Sequence, residues 1–172
     1  MPDLVLLLQH GVLYGAVLSV LMVLSFVGAA YLNPEIWLPD YPPDIRERFG
    51  PMSERAKRQR TIVGIPVFVP LAGVLVLSSV RLAQIGSESI FFSVCFGTFV
   101  VLVFSAVDLL ILDWLVFVTL RPKIVVLPGT EGAKGYGDYG FHFKAFLKGL
   151  AGSLIGSLIV AGMATAIIAI VP

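Results

Sequence analysis

Between Thr61 and Leu120 the only charged side chains are Arg81, Glu88, Asp108 and Asp113. A tract this apolar has few folds open to it, and it is too long for a single crossing of a bilayer. A transmembrane helix needs about 20 predominantly apolar residues, so the tract divides into two spans joined by a short turn near Gly86. Two further apolar stretches flank it. Spans are therefore predicted near 4–32, 61–84, 89–120 and 147–171, which leaves no room for a separate soluble domain. The 172-residue chain is 58% hydrophobic and 13% charged, against roughly 45–50% and 25% for soluble proteins. The expected fold is an all-α integral membrane protein, a four-transmembrane-helix bundle forming one membrane domain over residues 1–172.

Charge sets the expected topology. Of the twelve Lys and Arg residues, Arg46, Arg48, Arg55, Lys57, Arg58 and Arg60 fall in the loop 33–60. Arg121, Lys123, Lys134 and Lys144 fall in the loop 121–146, with Lys148 just beyond it. Basic loops stay cytoplasmic, so both loops are expected inside and both termini outside, in a multi-pass arrangement in the plasma (inner) membrane. Such loops meet anionic headgroups first, which makes membrane lipids the expected partners. A net charge of +1 gives no reason to invoke nucleic acid. The first span follows Met1, Pro2 and Asp3 without a basic n-region, and its apolar run is too long for a signal-peptide core. It is expected to remain in the mature protein. Cys95 stands alone inside the third span, so neither an intrachain disulfide nor a cysteine metal cluster is implied.

At about 1.5 Å per residue the first span reaches roughly 44 Å, more than the ~30 Å hydrocarbon core, so it must tilt, bend or protrude. It ends at Asn33-Pro34, where proline disfavours helix for the residue before it. In the first loop, Trp37 and Tyr41 suit the headgroup layer. Pro42-Pro43 can open a short helix that stops at Gly50, and Ser53 can cap a turn leading into the next span. Pro66 and Pro70 lie on one face of the second span, each freeing a backbone carbonyl one turn back, and a kink is expected there. In the fourth span Gly152 and Gly156 begin a strip of small residues that allows close helix approach, with a contact inside the bundle the cheaper explanation. No internal repeat marks an inverted-repeat transporter.

The short turn between spans two and three makes an antiparallel hairpin in which residue n faces roughly residue 172 minus n. That register sets Asp113 level with Arg58 and Arg60, a structural ion pair, and Arg81 beside Glu88 as an outer pair. Asp108 falls within a turn of Thr61 and Pro66 and near Ser105. These groups could hold a proton or a small cation, because ionisable residues inside spans are costly and usually face the bundle interior. Five α-helical residues turn through about 500°, leaving Asp108 and Asp113 roughly 140° apart, which argues against a carboxylate dyad.

The second loop contains GYGDYG, Gly135 to Gly140, formally a G-x-G-x-x-G pattern. A dinucleotide site needs a βαβ unit around it, and here a span follows almost at once, so the glycines are expected to make turns. His142 with Asp138 or Asp44 could form an acid–base or metal constellation, but one histidine without ligand spacing implies neither a metal nor a catalytic set. No cofactor is implied.

Three functional expectations follow. The first is an accessory or interaction protein, as a homo-oligomer or bound to a protein or lipid partner through its cytoplasmic loops. The runner-up is a proton- or cation-coupled transporter or channel component using Asp108. The third is a lipid-modifying enzyme working from the cytoplasmic face through loop residues such as Asp40, Asp44, Asp138 and His142.

Overall fold

The computed structural model describes residues 4–84 and 90–170, and every regular element among them is helical. Helix α1 spans Leu4–Leu32, α2 Pro43–Phe49, α3 Glu54–Gln84, α4 Ile90–Val107 and α5 Tyr139–Ile170. A 3-10 helix, Pro34–Asp40, follows α1, and two short ones, Lys123–Val125 and Lys134–Gly137, follow Leu120. From Asp108 to Leu120 the helix is wound with i→i+5 hydrogen bonds, a π helix. Four helical stretches are long and apolar enough to cross a membrane: Leu8–Leu32, Glu54–Leu77, Phe91–Leu120 and Tyr139–Met163.

Two of these helices start earlier than the apolar pattern alone implies, and in both the cause is a polar cap. Ser53 Oγ accepts the Ala56 N–H at 3.2 Å and donates to Glu35 at 2.8 Å, while Ser53 N–H donates to the same carboxylate. Helix α3 therefore begins at Glu54 rather than 61. Asp138 Oδ1 accepts the Phe141 N–H at 2.9 Å, so α5 begins at Tyr139 rather than 147. Each cap satisfies a first-turn donor that would otherwise lack a partner. Helix α3 remains helical through Pro66 and Pro70.

The chain packs as two compact units interleaved along the sequence. One comprises Met1–Ser19, Phe68–Ala106 and Phe146–Pro172. Its buried centre is Leu18, Phe96 and Val100, with Tyr14, Leu71, Val74 and Phe104 packed around them. Close approach of helices holds it together. A Cβ on Gly15 would stand 2.6 Å from Val103 Cβ, and one on Gly97 would stand 2.8 Å from Ser157 Oγ. This pins α1 and α5 against α4 in the way small residues permit where the solvent supplies no hydrophobic drive. Gly152 and Gly156 make no close approach within the chain among the described residues, since neither has an atom within 4 Å of a would-be Cβ. Ser157, one position on, is the residue that turns inward.

The other unit comprises Val20–Val67 and Val107–Ala145 and contains both charged loops. Its core resembles that of a small soluble domain. Leu38, Tyr41, Ile45, Phe117, Val118, Val125, Leu127, Ala133 and Tyr136 are all buried together. Tyr41, expected at the headgroup layer, is 1% exposed, with its hydroxyl donating to Val125 O at 2.8 Å. Its apolar ring packs on Phe117, and a buried phenol requires such a partner. Tyr136 Oη accepts the Leu127 N–H at 2.9 Å and bonds Thr130 Oγ1 at 2.7 Å. Asp44 accepts the Gly135 N–H at 2.8 Å. That approach requires glycine at 135, because a Cβ would collide with Asp44 Oδ1 and stand 2.7 Å from Pro42 Cβ.

Candidate functional site

A π helix, bonded i→i+5, holds more residues in each turn than an α helix, which brings residues five apart nearer to one face, and such winding is frequent at functional sites. Asp108 and Asp113 consequently share a face, where α-helical geometry would separate them. The same winding shows in Thr119 Oγ1, which donates to Trp114 O at 2.6 Å, and in the Arg121 N–H, which donates to Val116 O at 2.9 Å. Arg121 ends the helix at φ 44°. A left-handed non-glycine residue costs about 1–2 kcal/mol, and here the guanidinium offsets it by donating to Val118 O and Tyr136 O at 3.0 and 2.9 Å.

Asp113 pairs with His142, not with Arg58 or Arg60. The Asp113 Oδ1 to His142 Nδ1 distance is 3.0 Å, with the histidine side chain 4% exposed and the carboxylate 26%. The expected register failed for two reasons. It assumed an α-helical rise throughout, whereas π winding packs more residues into each turn. It also left out the 3-10 helix that brings Asp40 to Arg60. Arg60 binds that carboxylate at 2.6 and 3.2 Å, donates to Ile36 O at 2.9 Å and stacks over the Trp37 ring at 5.7 Å. Arg58 is exposed. The pair expected between Arg81 and Glu88 lies outside the described residues.

With Asp113 ionised, His142 Nδ1 carries the hydrogen and Nε2 is left bare, since the bond made by one ring nitrogen sets the state of the other. Nε2 is buried and has no hydrogen-bond partner among the described residues. The rings of Phe117 and Phe141 lie 5.1 and 5.3 Å from the imidazole. Asp108 is half-buried, and Asp113, Asp40 and His142 are the ionisable groups acting on it. The companions expected for Asp108 are placed otherwise. Thr61 is exposed and donates to Lys57 O of its own helix at 3.3 Å, Pro66 is exposed, and Ser105 belongs to the other unit.

The loop carboxylates have structural duties: Asp40 holds Arg60, Asp44 holds the Gly135 N–H, and Asp138 caps α5. His142 meets neither Asp44 nor Asp138. No group of three His, Cys, Asp or Glu side chains among the described residues is placed to hold a metal. The five-residue spacing of Asp108 and Asp113 was the one sequence signal for the pairing found here, and it is readable only once π winding is known. The chain matches no family model, no curated protein and no solved structure.

Proposed function

We propose that this is an accessory or interaction protein of the plasma (inner) membrane whose two loops, folded together, form a docking cap for anionic partners, the headgroups of its own bilayer first. The observation that carries this reading is the division of charge within the cap. The carboxylates of Glu35, Asp40, Asp44 and Asp138 are bonded within the cap and Glu54 pairs with Lys57, which leaves Glu47 and Glu131 exposed against Arg46, Arg48, Arg55 and Arg58. Basic side chains beside an anionic leaflet contribute about 1 kcal/mol each. By the positive-inside rule the loop Lys and Arg residues favour a cytoplasmic cap with both termini on the opposite side.

The test is lipid retention. Purified from a mixed bilayer, the wild-type protein should carry anionic lipids in excess of their bulk fraction, read by mass spectrometry of the intact complex. A variant with Arg46, Arg48, Arg55 and Arg58 all changed to Gln should lose most of that excess. Equal retention by the two proteins would remove the reading.

A second reading, proton or cation movement, is favoured by one specific observation: Asp108 and Asp113 on a shared helix face beside a buried histidine. It requires pH-dependent flux in liposomes that disappears in Asp108→Asn.

A further inference from the structure

We infer that Asp113 and His142, with Asp108 on the same π-helical face, form an occluded proton-binding site in which His142 Nε2 is the acceptor. A histidine kept only for packing or for a structural bond would have both ring nitrogens satisfied, as buried polar groups nearly always are. Here one nitrogen is held at 3.0 Å by a carboxylate, and the other, equally buried, faces no partner among the described residues. The carboxylate fixes the ring orientation and the tautomer, which makes Nε2 the basic atom.

The ligand is a proton rather than a metal ion. One imidazole nitrogen is available, and no third ligand stands near among the described residues, whereas a protein-held metal needs about three or four. The step is a simple addition. A hydronium ion gives its proton to the Nε2 lone pair, its O–H bond breaking to leave water, while the Nδ1 hydrogen stays on its bond to Asp113.

The positive charge so created is countered from the π helix by Asp113, and Asp108 on the same face is electrostatically coupled to the imidazole. Asp40, from the 3-10 helix, is paired with Arg60 from α3 and acts on Asp108. Phe117 and Phe141 supply apolar walls, which keep water from screening the charge.

The site is distinct from the basic cap surface. It underlies the transport reading without depending on it, because a site can bind a proton and conduct none.

The chain has two histidines, His10 and His142, so ¹⁵N-histidine labelling of the full protein in lipid bilayers, with His10→Gln for assignment, reports the site directly. Near pH 8, His142 should show a protonated Nδ1 and a bare Nε2. Acidification should abolish the bare-nitrogen resonance. In Asp113→Asn the tautomer preference at high pH should be lost, and in Asp108→Asn the acid-induced conversion should move along the pH axis.

A wild-type spectrum with Nδ1 bare and Nε2 protonated would overturn the inference. So would a bare Nε2 that persists to the acid limit, or an Asp108→Asn titration superimposable on wild type. Absent liposome flux alongside an intact titration would sink the transport reading alone.

Discussion

The two compact units hold themselves together by different physics. The unit built on Leu18, Phe96 and Val100 is made by helices coming close at glycine and serine, with Ser19 Oγ donating to Gly15 O at 2.7 Å and Ser153 Oγ to Leu150 O at 2.8 Å within their own helices. The unit built on Tyr41, Phe117 and Tyr136 buries large aromatics and ties its loops with side chain–backbone hydrogen bonds. Helices in lipid have their backbone satisfied internally and need only shape complementarity. Irregular loops have no such provision, and their orphan backbone groups must be met one by one.

The contrast breaks most sharply at Gly135. Gly135→Val forces a branched side chain against Asp44 and Pro42 and removes the bond to Asp44, for a loss of about 3 kcal/mol or more. Hydrogen–deuterium exchange should show loop amides around 123–137 losing protection while the helix around Leu18 keeps it. Equal loss in both regions would mean that the units do not fold by separate rules.

Next in size is Gly15→Leu, where the added atoms meet Val103 and the Val100 carbonyl. Overpacking of this kind costs about 2 kcal/mol, read as a lower midpoint in detergent-induced unfolding, with the loops unaffected. No change would show that the approach of α1 to α4 is looser than 2.6 Å contacts imply.

The smallest effect expected is that of Tyr41→Phe, which removes one neutral hydrogen bond worth about 1 kcal/mol. It also carries a pH signature. Burial first, then Tyr136 and Asp40, push the Tyr41 phenol above its ordinary range, so the folded state favours the neutral form. The stability this contributes is complete below the unfolded value of about 10 and is lost as pH rises beyond it. Alkaline unfolding followed by Trp37 and Trp114 fluorescence should therefore be steeper in wild type than in the Phe variant, and identical slopes would count against a buried Tyr41.

Much of the fold is visible in the sequence, because the four apolar runs are long and separated by charged loops. The cap at Ser53 is legible too, whereas the helix start at Tyr139 is not, since Asp138 lengthens that helix into a segment too polar to register as a span. Tyr41 was misread for a physical reason: tyrosine suits a headgroup layer and a small core equally well, and only its neighbours decide. The candidate site was hardest of all. Nothing in the composition of DLLILDWLVFVTL distinguishes π from α winding, yet that winding decides whether Asp108 and Asp113 diverge or align and whether Asp113 turns to an arginine or to His142.

Three bonds of the loop unit, from Tyr41 to Val125, from Tyr136 to Leu127 and from Asn33 to Gln59, join neutral groups, and the charged ones, Asp44 to the Gly135 N–H and Arg60 to Asp40, are direct contacts. Ionic strength therefore acts unequally on this molecule. At about 0.15 M salt, charges more than ~8 Å apart are largely screened, which weakens the pull of exposed arginines on an anionic surface far more than it weakens a framework of direct contacts. Salt can release the cap from what it binds without loosening the fold that presents it.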